Sequence, residues 1–279
     1  MSIQWYPGHM AKARREVKEN LKLVDFVIEL VDARAPLSSQ NPMLQEEIQD
    51  KPKLVVMMKK DLADPGVTKE WIDYFDSTFS HAVAVDVNNP KNIQKIAEAS
   101  RQITEEKLEK QRAKGINPRN PRAMIVGIPN VGKSSLINRL AHKKKAETGD
   151  KPGVTKKQQW IKVKNEFELL DTPGILWPKF EEEVTGFRLA AIGTIKDQIL
   201  PQDEVAIFIL NHLKERYPEQ LEERFGFSDF EDVVEAFDKI GKKRGALEAG
   251  GVVDYEKVAE IIIQDLRSNR IGRISFERP

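Results

Sequence analysis

Apolar and polar positions alternate along this chain in two distinct regimes. Up to about residue 180, short β-branched runs are separated by segments of helical periodicity. Phe26–Val31, Leu54–Met58, Ala82–Val85 and Ala123–Val126 read as strands buried on both faces, because the apolar character is continuous rather than alternating. Trp160–Val163 and Glu166–Leu170 read as a hairpin turning at Lys164–Asn165. Between them, Met10, Ala13, Val17, Leu21 and Val24 recur at helical spacing with basic residues on the other faces. Trp71–Phe75, Ile93–Leu108 and Ser134–Leu140 supply further helices, and the polar, Pro- and Gly-broken stretch 109–122 reads as a surface connection. Strand and helix in alternation predict an α/β fold, a mainly parallel sheet with helices on both faces.

Beyond about residue 180 only helical patterns remain, over Thr185–Leu200, Asp203–Arg216, Ser228–Ile240 and Asp254–Asn269. Ser228-x-x-Glu231 has the form of a capping box for the third, and Gly241 is its expected stop. The predicted organisation is a first domain over 1–178 and a small all-α domain over 179–279.

Composition adds an asymmetry. Residues 1–179 carry 31 Lys+Arg against 23 Asp+Glu, and residues 180–279 carry 14 against 21, which the overall charge of +1 conceals. Such a split suggests two modules with different surfaces. The chain has no cysteine, which excludes disulfides and thiolate metal sites. It has no apolar run near the roughly twenty residues that span a bilayer, and its first residues lack the apolar core of a secretion signal. The expected location is cytoplasmic, with no membrane partner.

The chemistry sits at the ends of the predicted strands. Gly127-Ile-Pro-Asn-Val-Gly-Lys-Ser134 follows a strand and opens a helix, the context of a phosphate-binding loop. The backbone of Asn130, Val131, Gly132, Lys133, Ser134 and Ser135 would wrap the phosphates, Lys133 would reach the β and γ groups, and the Ser134 hydroxyl would bind Mg2+. Asp171-Thr-Pro-Gly174 ends a later strand, where Asp171 would hold Mg2+ through water and the Gly174 amide would sense the γ-phosphate. Pro152-Gly-Val-Thr155 lies between them, positioned for Thr155 to reach the same Mg2+. The base-reading segment of such folds is Asn-Lys-x-Asp after a strand. Here Met58-Lys59-Lys60-Asp61 offers Lys59 to pack across guanine and Asp61 to accept from its N1 and N2, with Met in place of Asn. That exchange removes a side chain that hydrogen-bonds the base and braces the phosphate loop, so the bracing is expected to suffer. A plain helix start at Lys-Lys-Asp is the alternative reading of this segment. Asp86 and Val87, after another strand, would close over the base.

The order of these segments is inverted, with the base-reading half ahead of the phosphate loop. With that order, and with Trp5-Tyr-Pro-Gly-His-Met10, Val31-Asp-Ala-Arg-Ala-Pro36, Gly149-Asp-Lys-Pro-Gly-Val-Thr155 and Asp171-Thr-Pro-Gly-Ile-Leu-Trp-Pro178, nearly the whole chain resembles the circularly permuted GTPases of ribosome assembly. The resemblance implies GTP as substrate, Mg2+ as cofactor, and as partners a large-subunit precursor with its rRNA and ribosomal proteins. It also implies catalysis by His9, since Ile175 stands where many GTPases carry the Gln that orients water, and a K+ held beside the phosphates by Asn130. His9 as a brace of the first helix, and Asn130 as a loop residue satisfying its own backbone, are the competing readings. For RNA contact the basic clusters are Lys12/Arg14/Arg15/Lys18, Arg112/Lys114/Arg119/Arg122, Lys143–Lys145, Lys156/Lys157 and Lys242–Arg244 with Arg267, Arg270 and Arg273. Two other functions fit the residues. One is a P-loop NTPase with base choice relaxed by Met58, and the other a non-catalytic, nucleotide-gated RNA scaffold. In the permuted order the chain runs from Gly174 straight into the helical tail, which would tie nucleotide state to that tail.

Overall fold

In the computed structural model the described residues are 7–48, 51–78, 81–141, 160–164, 166–172, 182–197 and 199–279, with side chains from Arg14 onward. The chain divides into two units, Met1–Phe180 with Glu277–Pro279, and Glu181–Phe276. The last three residues, expected with the helical domain, therefore belong to the first unit.

That unit runs α1 (Pro7–Leu21), β1 (Phe26–Asp32), α2 (Pro42–Ile48), β2 (Lys53–Met58), α3 (Pro65–Ser77), β3 (His81–Val85), α4 (Pro90–Ala113), β4 (Arg122–Gly127), α5 (Lys133–Leu140), β5 (Trp160–Val163) and β6 (Phe167–Asp171). Its six strands form one sheet in the order β3-β2-β1-β4-β6-β5, parallel except for the antiparallel edge strand β5. Every residue of β1 is buried, as expected of a central strand covered on both faces. Val31, Val55 and Met57 pack with Trp71 and Phe75 of α3, and Val27, Met124 and Val126 pack with Val17, Leu44 and Ile48 of α1 and α2. These strand residues are matched in register, so α1, α2 and α3 cover one face. The steps β1 to β2 to β3 move one way along the sheet, and α4 carries the chain back to β4. A right-handed crossover in the reverse direction lies on the opposite face, where α4 meets β2 and β3 and α5 meets β4.

Residues 109–122 differ from expectation. The helix runs on to Ala113, because Lys107 and the residues after it keep helical spacing, and it stops only where Gly115 takes φ +74°. The remaining connection is pinned by Asp25, whose carboxylate accepts from Lys107 (2.6 Å), Arg119 (2.9 Å) and the Arg122 amide (2.8 Å). This join lies at the N-terminal ends of β1 and β4, at the sheet edge opposite the motifs.

The second unit comprises α6 (Glu183–Ala191), α7 (Gln202–Arg216), α8 (Pro218–Phe225), α9 (Val233–Arg244) and α10 (Tyr255–Arg267). Leu189, Ile209, Leu213, Leu221, Phe237, Ile240, Val258 and Ile262 are its buried stripe residues. Three expectations fail here for local reasons. The helix expected over 185–200 ends at Ala191, since Gly193 adopts φ +78°. The N-cap of α9 is Asp232 rather than Ser228, its carboxylate accepting from the Glu235 amide at 2.8 Å while Glu235 reaches back to the Glu231 amide at 2.7 Å. Gly241 does not stop the helix. A Cβ there would lie 2.4 Å from Val253 Cγ1, so it is a close-packing glycine, and Gly245 in the left-handed region is the cap. Among the described residues no helix is long and apolar enough to cross a membrane.

Candidate nucleotide site

Ligands of open α/β sheets bind beyond the carboxyl ends of the parallel strands. Four of the sequence motifs meet there. Asp32 of β1 is level with Met58 of β2, Met58 with Val85 of β3, Leu30 of β1 with Gly127 of β4, and Ile125 of β4 with Asp171 of β6.

The loop after β4 has the backbone that phosphate wrapping requires. Gly127 passes so close to β1 that a Cβ would stand 3.0 Å from the Leu30 carbonyl oxygen and 3.2 Å from Val131 Cγ1. Asn130 (φ +59°) and Gly132 (φ +104°) both take left-handed conformations, turning the chain into the first turn of α5. Helix-start amides there have no partner within the helix and point outward, as anion binding needs. Val131 is fully buried, Ser134 half-buried, and Asn130 and Ser135 are exposed. Lys133 is buried, its Nζ 2.9 Å from Asp171 Oδ1 and bonded to the Thr172 carbonyl oxygen. Thr172 Oγ1 in turn donates to the Ile125 carbonyl at 2.5 Å. Lysine, serine and Asp171 are thus gathered at adjacent strand ends. Among the described residues no three His, Asp or Glu side chains cluster as a metal cage.

On the base side, Met58 is 1 % exposed, and its Cε lies 3.1 Å from where a Gly132 Cβ would be. The brace between β2 and the phosphate loop is therefore present as an apolar contact, and Gly132 is the residue that leaves room for it. Lys59 follows with φ +58°. Its Nζ is 3.0 Å from Asp32 Oδ2, and the same carboxylate takes Arg34 through two side-chain bonds of 2.8 and 2.9 Å. Burial by itself would push the Asp32 carboxyl up, but the charges of Arg34 and Lys59 and the Arg34 hydrogen bonds outweigh it. They hold it well below the usual carboxylate range. Lys60 donates its amide to the Val85 carbonyl (3.2 Å), tying the segment to β3. The cap of α3 is Asp64, which accepts from the Gly66 and Val67 amides, so helix capping does not account for the exposed Asp61. Asp86 accepts from the Asn88 amide at 2.8 Å, and its own amide donates to buried Asn92. Arg139 of α5 reaches Asn88 at 3.2 Å, joining the two halves across the site. Val87 is half-buried in the same turn.

Asp32 and Arg34 lie in a stretch that supports the family resemblance, but nothing in sequence assigns them a role. Only the register of β1 beside β2 brings Asp32 to Lys59. His9 lies in the first turn of α1, with its side chain outside the described residues, as are Thr155, Gly174 and the clusters Lys143–Lys145 and Lys156/Lys157. Several of the remaining basic residues are paired within the chain. Arg14 meets Glu46 and Glu47, Arg122 meets Glu168, and Arg267 meets Asp197. In the helical unit Arg224, Arg244 and Arg270 all converge on the one buried carboxylate of Asp265, an excess of positive charge at the ends of α8, α9 and α10.

Residues 122–235 match the family described as 50S ribosome-binding GTPase, a match that begins at β4 and leaves the base-side half ahead of it. Proteins named Ribosome biogenesis GTPase A from Priestia megaterium and Bacillus cereus are 56% and 55% identical, over all of this chain and 98% and 95% of theirs. The solved structure described as GNP-bound YlqF from T. maritima superposes with a TM-score of 0.66 at 29% identity, covering 96% of this chain and 98% of that one. At that identity and coverage of its relatives, the chain belongs to the ribosome biogenesis GTPase A family.

Proposed function

We propose that this GTPase acts in ribosome assembly by docking on the immature large subunit in its GTP form and leaving after hydrolysis. One observation carries the nucleotide half of this reading. The phosphate loop, Asp171 and the Met58–Asp61 segment, far apart in sequence, lie at the carboxyl ends of β4, β6 and β2, parallel strands of one sheet with only β1 between β2 and β4. Lys133 then serves the β and γ phosphates and Asp61 reads guanine, with Lys59 across the ring and Asp86 and Val87 closing over it. The donor set suits Mg2+, a hard cation that takes oxygen ligands and keeps phosphates and water in its shell. Ser134 would hold it directly, with Thr155 and Asp171 completing the protein's share, and it would neutralise charge developing on the phosphates. Asn130, exposed and with a left-handed backbone, would hold a K+ beside them.

Ile175 offers no polar atom to orient water, so unaided turnover is expected to be slow, with His9 the candidate for that role. For rRNA the surplus of Arg224, Arg244 and Arg270 over Asp265, with the neighbouring Lys242 and Lys243, is the best-supported phosphate-contacting surface of the helical unit. The test is GTP turnover by the purified protein with and without large-subunit precursor. Strong stimulation by the precursor is expected, and equal rates in both would refute the gating. ATP competing equally with GTP would instead favour the relaxed-specificity reading.

A further inference from the structure

The chain leaves the first unit at Phe180 and returns to it at Glu277 for its last three residues. Glu277 is 9% exposed, and both its carboxylate oxygens are engaged by one residue. Oε1 accepts from the Ser38 amide at 3.0 Å and Oε2 from the Ser38 hydroxyl at 2.7 Å. Its carbonyl accepts from Nε1 of the fully buried Trp71 at 3.1 Å, and Arg278 pairs with Glu70 at 2.9 Å. A tripeptide with a buried, two-pronged carboxylate and an indole bond is built to stay in place.

What it grips is the loop that orders the base-side lysine. Ser38 adjoins Ser39, whose hydroxyl accepts from the Asp32 amide at 2.8 Å and donates to the Ala35 carbonyl at 2.6 Å. Asp32 in turn holds Lys59 Nζ at 3.0 Å. Polar contacts, with the peptide link between Ser38 and Ser39, thus connect Glu277 to Asp32 and Lys59, and Ser38, Ser39 and Asp32 are all buried. We propose that Glu277 is a positioning residue for guanine recognition: it fixes the 32–39 loop, which fixes Asp32 and so the ammonium of Lys59. Phe276, the neighbour of Glu277 along the backbone, belongs to the helical unit. A partner that draws on that unit can then loosen base recognition through the C-terminal strap, separately from any route through the segment after Gly174.

The proposal rests on the Met58–Asp61 segment being the guanine site. Full-length wild type, Glu277→Ala and Ser38→Ala are titrated with GDP and with ADP, each alone and in a Lys59→Ala background. Losing the charged two-pronged anchor is expected to lower GDP affinity about tenfold in Glu277→Ala and a few-fold in Ser38→Ala. Neither should lower it further once Lys59 is gone. A merely structural role would weaken GDP binding equally in the Lys59→Ala background, and an unchanged GDP affinity in either folded variant overturns the proposal. A full loss that persists in the Lys59→Ala background overturns the route through Lys59. A wild type without GDP preference would instead refute the guanine-site reading itself.

Discussion

Met58→Asn separates two contributions that one residue makes. The thioether is buried and packed on Gly132, so its loss acts on stability. Burying a Met side chain is worth about 1.5–3 kcal/mol, and a buried amide that lacks partners costs about 1–3 kcal/mol more. A net loss of about 2.5–6 kcal/mol follows, and a unit of this size loses about 2–4 °C of melting temperature per kcal/mol. The expected fall is about 5–24 °C. The amide, however, gains a bond to the base only in the bound state. At a net of about 0.5–1.5 kcal/mol, GDP should bind about three- to tenfold more tightly. Thermal melting and GDP titration of the same two proteins read both effects. A folded Asn variant that binds GDP no more tightly than wild type would refute the placement of residue 58 beside the base. One that melts as high as wild type would refute the packing argument.

Other outcomes follow from particular contacts. Gly241→Ala puts a methyl 2.4 Å from Val253 Cγ1 and should destabilise the helical unit by about 1–3 kcal/mol in urea unfolding, whereas Gly245→Ala meets no atom within 4 Å and should cost about 1 kcal/mol through its backbone alone. His212 accounts for a pH dependence. Burial pushes its imidazole down, and its Nε2 sits 2.9 Å from the Ser275 carbonyl among Phe208, Tyr217 and Phe276. A depressed histidine leaves the unfolded chain binding more protons, so stability is full above about pH 6.5 and declines as pH falls below it. Melting curves from about pH 7.5 to 5 should show that decline, and His212→Gln should flatten it.

The strands were legible because continuous β-branched runs have no other stable home than a covered sheet. Phe26–Val31 and Leu54–Met58 fall within one residue of β1 and β2. The short helices α2 and α8 escaped because each begins at a proline and spans two turns, too few for periodicity to register. Helix ends failed where glycine had two meanings. Gly241 serves packing and Gly245 termination, a difference that only Val253 reveals. At the site, the phosphate loop could be read from its spacing, since its glycines answer to local backbone geometry. The Asp32–Lys59 pair and the Glu277 anchor could not, because they depend on which strand lies beside which and where the chain returns. Met58 shows the same limit. Sequence reasoning registers the missing hydrogen bond, while the replacement contact with Gly132 exists only in three dimensions.

The central claim is that guanine is read by Asp61, at a strand end that precedes the phosphate loop in sequence and flanks it in space. Xanthine carries a carbonyl where guanine carries its 2-amino group, so an amide at position 61 can donate to it as the carboxylate cannot. GTP and XTP are titrated against wild type and Asp61→Asn. Wild type should prefer GTP strongly, and the variant should lose GTP affinity by about a hundredfold while gaining XTP, reversing the order. An Asp61→Asn protein that still prefers GTP as wild type does would contradict the account.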